Sequence, residues 1–365
     1  MISLANIISH SLRFSSFQLS RAAIDSVMSS KQELAQNGKF CRLLCFFPIR
    51  HCDGMEKHRS PRFSRVATVA PIQLTDRDRD IIRLIHRHRF LRSHHIAALL
   101  GSSEQQIVRR LQVLFHHGYL ERPRAQIKFI EQGGSQPIAY GLGKKGGALL
   151  RNELGIAVNS DAWGEKNNAV GRVFLDHALL VSEIMVSLEL ACRKHNVRLL
   201  YEDELVLPIK RKPFQWWVKI SGGTKLGVIP DAAFAIEYTD RNGQLQRAHF
   251  FLEADRGTMP VVRKGLAQTS FFRKLLAYEA TWTNKVHQRH LGIQRFRLLT
   301  VTTIAARVQT LLEACSQLKR GHGLFLFTNT SILEKDLFSP VWRNGKTGEL
   351  SSLLDLPDLA SPASS

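Results

Sequence analysis

Residues 249–258 read HFFLEADRGT, and this stretch is the strongest indication of the fold in the sequence. An apolar run ends in two carboxylates, Glu253 and Asp255, and Arg-Gly-Thr follows. Because side chains alternate along a strand, the two acids face one side and Ala254 faces the other. Two like charges so placed cost energy unless a cation or an arginine neutralises them. The stretch therefore predicts either a metal site or a turn in which Arg256 or Arg263 neutralises the acids.

The sequence around this stretch predicts a mixed α/β domain over residues 170–330. A long amphipathic helix over 176–195 comes first, and a Trp- and Gly-containing hairpin lies between the first two of the main strands. Asn242-Gly243 predicts a tight turn between two further strands. The predicted order is helix 176–195, strands 197–207, 226–238 and 247–255, helix 264–283, strand 295–302, helix 308–318 and strand 323–329.

Three acids are expected to converge in this domain: Glu183 from the first helix, Asp231 from one strand and Glu253 from its hairpin partner. Carboxylate oxygens are the ligands that Mg²⁺ prefers, with water and phosphate completing the octahedron. A metal so placed activates water for attack on a phosphodiester. Asp231 and Glu253 are therefore the candidate ligands for Mg or Mn, and all three acids are candidate catalytic residues.

This order of helices and strands, with Pro230-Asp231 and Glu253, resembles the PD-(D/E)xK nuclease superfamily. The resemblance implies a restriction-endonuclease-like domain and an Mg- or Mn-dependent DNA endonuclease. The family has a lysine two residues after the second acid, where this chain has Asp255 with the opposite charge. Lys264 or Lys274 on the next predicted helix is the candidate replacement. Three alternatives stay open: an intact nuclease, a degenerate fold that does not cleave DNA, and no relation to this superfamily. We expect the degenerate fold.

Residues 71–155 predict a second, N-terminal module with three helices and two strands. Thr75 is a plausible N-cap for the first helix, and Gly101 ends the short second helix. The third helix is predicted over residues 103–117, and the strand candidates YLERP and QPIAYGL follow. Three helices followed by a β-ribbon predict a winged helix-turn-helix whose third helix enters a major groove.

The exposed face of this third helix carries side chains that suit double-stranded DNA. Gln and Arg can bind base edges bidentately, and basic residues of the wing would contact phosphate. The predicted DNA-binding residues are Gln105, Gln106, Arg109, Arg110 and Gln112 of the helix, with Arg124 and Lys128 of the wing. The alternative for the module is a winged helix that binds protein, because fold alone does not fix function.

The composition favours a polyanionic partner. Lys and Arg outnumber Asp and Glu by 51 to 31, which gives a formal net charge of +20; a basic but inert surface is the alternative. Cys41, Cys45 and Cys52 with His58 fit no common zinc site, so the five cysteines are expected to be free thiols in a reducing cytoplasm. No apolar run approaches the roughly 20 residues of a membrane span.

The two ends of the chain are predicted to be less ordered than the middle. Residues 1–70 form a basic, Ser-rich extension that superficially resembles an organelle transit peptide, and residues 331–365 are expected to be a flexible tail. The sequence therefore predicts two folded domains, at 71–155 and 170–330, between these terminal segments.

Several motifs in order, from about residue 74 to residue 328, resemble the replication-relaxation family of plasmid and mobile-element proteins. They are LTDRDRDIIRLI, VRRLQVLFHHGYLERP, IAYGLGKKGGALL, DHALLVSEI, PDAAFAI, FFLEADRGT and RKLLAYEA. The resemblance implies a DNA-binding protein that acts in plasmid replication or mobilisation. The first hypothesis is a cytoplasmic accessory protein whose α/β domain holds DNA or a partner such as a relaxase or replication initiator, with homodimerisation left open. The alternatives are the metal-dependent endonuclease and a transcriptional repressor whose C-terminal domain dimerises or senses a ligand.

Overall fold

The computed structural model describes residues 62–66, 70–127, 137–158, 163–205, 214–220, 222–240, 242–265 and 268–354. All of them lie in one compact unit, Ser60–Ser365. The expectations for Cys41, Cys45, Cys52, His58 and Lys128 fall outside the described residues. The predicted combination of helices with a mixed sheet is confirmed.

The N-terminal part of this unit has helices around a small three-stranded sheet of order β1-β3-β2. Its elements are α1 (Asp76–His88), β1 (Phe90–Arg92), α2 (Ser93–Leu100), α3 (Glu104–His116), β2 (Leu120–Glu121), a 3-10 turn (Arg124–Gln126), β3 (Ala139–Leu142), α4 (Lys144–Asn152) and α5 (Trp163–Asn168). Both strand candidates are confirmed. The sequence did not predict β1, which is only three residues long and depends on antiparallel pairing with the distant β3.

The helix boundaries in this part follow local signals. Thr75 caps α1 in a capping box with Asp78, in which each side chain satisfies a backbone N–H of the other. Gly101 adopts a left-handed φ of 59° and ends α2, as predicted. The helices bury apolar side chains at helical spacing, among them Ile81, Ile82, Ile85, Ile107, Leu111 and Leu114, which are fully buried.

Part of the predicted N-terminal extension is folded against this module. The Arg65 guanidinium donates to the Phe115 carbonyl at 2.9 Å and to the Glu121 carboxylate at 2.5 Å. The carbonyl of Arg62 accepts a hydrogen bond from Arg122 at 2.5 Å. The prediction of a flexible extension is therefore wrong for residues 62–66. The composition of a short segment does not show which distant residues it will contact.

The larger part is a seven-stranded mixed sheet of order β12-β11-β10-β9-β8-β7-β4. Strands β8, β9 and β10 are parallel, whereas β7 runs antiparallel to both of its neighbours. Its elements are α6 (Arg172–Lys194), β4 (Arg198–Leu200), β7 (Ala232–Thr239), β8 (Leu245–Asp255), α7 (Phe271–Thr283), α8 (Val286–Arg289), β9 (Phe296–Thr302), α9 (Arg307–Ser316), β10 (Phe325–Asn329), β11 (Trp342–Asn344) and β12 (Leu350–Ser351).

Helices cover both faces of this sheet. Helix α6 packs on the face that carries Phe234 and Phe250, and α7 and α9 pack on the face that carries Phe251 and Leu298. A separate antiparallel ribbon, β5 (Trp216–Lys219) and β6 (Lys225–Val228), also packs against α7. This ribbon contains the Trp and Gly residues of the predicted hairpin connection. Its second strand, however, takes up the first residues of the predicted strand 226–238, which is interrupted between Val228 and Ala232.

Helix α6 belongs to both parts of the unit. Its Ile184 and Leu188 are buried against the seven-stranded sheet, whereas Val186 is buried in the core of the N-terminal helices. The Ser182 hydroxyl donates to the His88 carbonyl at 2.9 Å. The two parts are therefore joined through one continuous helix and a shared apolar core.

The C-terminal segment is a correction to the prediction of a flexible tail at 331–365. Within it, residues 331–354 include β11 and β12, and Phe338 and Trp342 are fully buried beside the face covered by α6. The segment escaped prediction because its apolar residues are widely spaced and only the tertiary fold brings them together. No helix among the described residues is long and apolar enough to cross a membrane.

Replacing Trp342 by Ala should lower the free energy of unfolding by about 3–5 kcal/mol, since a fully buried indole is lost. The control is Leu350→Ala in the neighbouring strand, where the side chain is 54 % exposed and the expected change is within about 0.5 kcal/mol. Urea denaturation of both variants measures the difference. Equal stability of the two variants would show that the segment does not contribute to the core.

Candidate functional site

Asp231 and Glu253 meet at one end of the β7–β8 pair. The register sets Ala232 opposite Leu252, so the two acids occupy the next opposed positions. The Asp231 backbone N–H donates to the Leu252 carbonyl at 2.9 Å. The Ala254 N–H in turn donates to the Asp231 carboxylate at 2.8 Å. The predicted proximity of these two strand acids is therefore present.

Glu253 is buried and paired with two side chains of helix α7. Its side chain is 2 % exposed. One carboxylate oxygen accepts from the Tyr278 hydroxyl at 2.7 Å, and the other is ion-paired with Lys274. Residues 274 and 278 are one helical turn apart, so both reach the same carboxylate. Of the two candidate lysines, Lys274 is therefore the one that contacts the acids.

Lys264 does not take part in this cluster. It is exposed and makes no hydrogen bond or ion pair with any other residue that the structure describes. The predicted helix 264–283 instead begins at Phe271, where the Ser270 side chain caps it by accepting from the Arg273 N–H at 3.3 Å. Lys264 thus lies before the helix and is not carried toward Glu253.

Burial and charge act in opposite directions on this pair. Burial raises the pKa of Glu253, and the positive charge of Lys274 opposes that rise. Burial lowers the pKa of Lys274, but the charges of Glu253, Asp231 and Asp255 more than compensate, so its pKa lies above the ordinary value. The lysine is thus held in the charged form that a buried carboxylate requires.

His177 from helix α6 completes the surroundings of Asp231. Its Nε2 lies 3.0 Å from the Asp231 carboxylate. That hydrogen bond raises the pKa of His177 above its usual range, against the effect of burial. His177 was not among the predicted site residues, because its place beside Asp231 depends on how α6 packs on the sheet.

Glu183 does not join the acids, which corrects the expectation of a three-acid site. It follows His177 by six residues, so it projects about 240° further around the helix axis. It is exposed, and its charge is near Arg92. Glu183 therefore lies on the predicted helix, but not on the face that points toward Asp231.

Asp255 has a different partner from those predicted. Its carboxylate accepts from the Arg307 Nε at 2.5 Å, at the start of α9, and from the Gly257 N–H at 3.2 Å. Arg256 instead pairs with Asp176 at 3.1 Å, and Arg263 binds residues of its own loop. Arg307 therefore neutralises the acid that occupies the position of the superfamily lysine.

The donor set does not fit a bound Mg or Mn ion as it is arranged. Both oxygens of Glu253 accept hydrogen bonds from Tyr278 and Lys274, and both oxygens of Asp231 accept from His177 and a backbone N–H. Within the described ranges, no three His, Cys, Asp or Glu side chains are grouped so as to hold a metal. The arrangement is that of a self-neutralised polar cluster under helix α7.

The predicted DNA-contacting face of α3 is largely open to solvent. Gln105, Gln106, Arg109 and Gln112 are exposed. Arg109 makes no ion pair or hydrogen bond with another described residue, so its guanidinium is free to bind a ligand. Arg124 is also exposed, in the 3-10 turn after β2.

Arg110 differs from its neighbour, because it is bound within the fold. Its Nε and Nη2 each lie 2.5 Å from an oxygen of Asp78, which is fully buried, and Nη2 also donates to the Gln73 carbonyl at 3.0 Å. Burial raises the pKa of Asp78, but the hydrogen bonds from Arg110 and Thr75 outweigh it and hold that pKa below its usual range. Arg110 therefore fixes α3 onto the N-terminus of α1 rather than facing outward.

The family comparison agrees with the resemblance drawn from the motifs. The family model described as replication-relaxation matches residues 82–295. This range covers more than half of the chain and spans both α3 and the Asp231–Glu253 cluster. The chain belongs to the replication-relaxation family. Comparisons with curated proteins and with solved structures gave no match.

Replacing Lys274 by Met should leave the Glu253 carboxylate buried with only Tyr278 as a partner. We expect the free energy of unfolding at neutral pH to fall by about 2–4 kcal/mol, somewhat less than for a fully buried pair because Lys274 is 35 % exposed. Burial raises the folded-state pKa of Glu253 above its unfolded value. The variant should therefore regain stability as the pH falls and Glu253 becomes protonated.

Denaturant unfolding at several pH values measures this effect, and Lys264→Met is the matched control. That substitution removes an exposed lysine that makes no hydrogen bond or ion pair with another described residue, so stability should change by less than about 0.5 kcal/mol. A K274M variant as stable as K264M at neutral pH would contradict the role assigned to the ion pair.

Proposed function

We propose that the protein is a DNA-binding accessory protein in the replication or mobilisation of a plasmid or other mobile element. Membership of the replication-relaxation family supports this context. In this proposal residues 71–155 form a winged helix-turn-helix that binds double-stranded DNA. The α/β domain that follows holds DNA or a partner protein such as a relaxase or replication initiator.

The observation that carries the proposal is the contrast between the two faces of α3. Its inner face is fixed by burial of Leu111 and by the Arg110–Asp78 pair. Its outer face offers Gln105, Gln106 and Arg109 to solvent. A rigid helix with exposed amide and guanidinium groups suits a major groove, since these groups bind base edges bidentately. The short α2 and its Gly101 cap precede α3, which is the order of a helix-turn-helix.

We further propose that the α/β domain is a degenerate relative of the PD-(D/E)xK nucleases that does not cut DNA. The order α6, β4, β7, β8, α7, β9 supports the relationship, as does the arrival of Lys274 beside Glu253. The hydrogen bonds that occupy Asp231 and Glu253 support a structural role for the acids.

Arg109→Ala should weaken binding to a short DNA duplex about tenfold, because one phosphate or base contact is lost. Fluorescence anisotropy with labelled duplex measures the affinity, and the slope of affinity against salt should fall by about one counterion if Arg109 binds phosphate. Binding of the unchanged protein should also weaken steeply between about 50 and 200 mM salt. Unaltered affinity and slope in R109A would reject α3 as the DNA-contacting element.

The neighbouring substitution Arg110→Ala is the matched control. It removes the same side chain one position along, but it leaves Asp78 buried without its cation. We expect a loss of stability of up to about 3–5 kcal/mol, reduced by the 29 % exposure of Arg110. Folded R110A should bind duplex as the unchanged protein does. A loss of DNA affinity in R110A with full stability would contradict the assignment.

Incubation with supercoiled plasmid in Mg²⁺ or Mn²⁺ tests the non-cleaving interpretation. We expect no nicking, and equal background for the protein and its Asp231→Ala variant. Nicking that disappears in D231A would instead establish the endonuclease alternative. Footprinting then separates the remaining alternatives, because protection at a promoter would indicate a repressor and protection at an origin would support the accessory role.

A further inference from the structure

The outer face of the β5–β6 ribbon has features that the proposed function does not use. The inner side chains Trp216, Val218, Leu226 and Val228 are buried against α7 and the sheet. Alternation therefore turns the intervening residues outward. On that outer face Trp217 is 60 % exposed, which is a large apolar surface left in contact with water.

The ring of Trp217 lies flat over the opposite strand. The register pairs Trp217 with Gly227. A Cβ added at Gly227 would lie 3.2 Å from the six-membered part of the indole. This spacing is tight, so any larger residue would push the ring away from the strand. Glycine at this position therefore lets the six-membered part of the indole lie close to the backbone of the opposite strand.

Two lysines stand beside this ring. Lys219 and Lys225 are directly opposed in the register and both are exposed. The Lys225 ammonium lies 5.1 Å from the centre of the Trp217 ring. Like charges directly opposed across a ribbon destabilise it, and neither lysine forms an ion pair with another described residue. This face thus has two lysines that form no ion pair with any described residue, and the Lys225 ammonium lies over an indole that is itself 60 % exposed.

We propose that this face binds unpaired nucleotides of single-stranded DNA, with a base stacked on Trp217 and the neighbouring phosphates bound by Lys219 and Lys225. Every base has a π-face, so an exposed ring accepts it with little sequence preference, and basic groups along the backbone add charge complementarity. The flexible Lys225 side chain moves from the ring to a phosphate when the base arrives. Because it uses the ribbon and not α3, this site is separate from the proposed duplex-binding surface.

The chemistry favours a single strand over a duplex. In duplex DNA the faces of the bases are stacked on one another, and only their edges are accessible in the grooves. A flat ring on a β-ribbon cannot reach a stacked face without unpairing the base. A site that bound only phosphates would use the two lysines but not the exposed indole of Trp217.

Anisotropy with a fluorescein-labelled oligothymidylate tests the proposal on the full chain. Trp217→Ala should weaken binding of the oligonucleotide about tenfold or more, whereas Trp217→Phe keeps an aromatic face and should retain most of the affinity. Gly227→Val should weaken binding as well, because the added side chain displaces the ring. Combined replacement of Lys219 and Lys225 by Ala should weaken binding and lower its salt dependence.

Measuring duplex binding by W217A and oligonucleotide binding by R109A distinguishes this single-strand site from the proposed duplex-binding surface. W217A should bind duplex as the unchanged protein does, and R109A should bind the oligonucleotide as the unchanged protein does. Circular dichroism and thermal melting establish that each variant is folded. Equal oligonucleotide affinity in W217A and the unchanged protein would overturn the proposal, as would an equal loss in W217A and W217F. A change in sedimentation of W217A would show a contact between copies instead, and would overturn it too.

Discussion

Helix α6 is apolar on more than one side, and both parts of the fold pack against it. A helix with a single apolar stripe can cover only one core. Leu188 of α6 is buried against the seven-stranded sheet and Val186 against the N-terminal helices, so the helix must be enclosed by both. Arg193 near its end donates to the Leu99 carbonyl at 2.5 Å, which adds a polar contact to the same junction. The direction of α3 relative to the sheet is therefore set by packing rather than by a loose linker.

A second constraint comes from the acids at the end of β8. Alternation places Glu253 and Asp255 on the face that α7 and α9 cover, where both become buried. Each needs a cation, because an uncompensated buried charge is costly. The fold provides Lys274 from α7 for the first and Arg307 from α9 for the second. Because Asp255 stands two residues after Glu253, β8 itself supplies no cation there. The cations come from α7 and α9, and the Lys274–Glu253 and Arg307–Asp255 pairs hold these helices on the sheet.

Local signals in the sequence predicted the elements well, and long-range pairing limited the prediction of the site. The cap at Thr75, the stop at Gly101 and the turn at Asn242-Gly243 each depend on a few adjacent residues, so the corresponding boundaries were correct. The order of helices and strands around the sheet followed from these. Which side chains meet depends instead on helix rotation, and this is why Glu183 was wrongly placed beside Asp231. Arg110 was predicted to face outward because its position in α3 matches the exposed face of that helix. Its actual partner, the buried Asp78, belongs to another helix and cannot be identified from the spacing within α3.

The ion pairs also explain where the excess positive charge is available. Asp78, Glu253 and Asp255 are each paired with one basic side chain, so each pair is neutral and leaves the net charge of the chain unchanged. Arg109 and Lys219, which form no ion pair with any described residue, are exposed to solvent. Salt screens exposed charges strongly and buried pairs weakly. Ionic strength should consequently control the binding of a polyanion to the exposed charges while leaving the buried ion pairs of the fold intact.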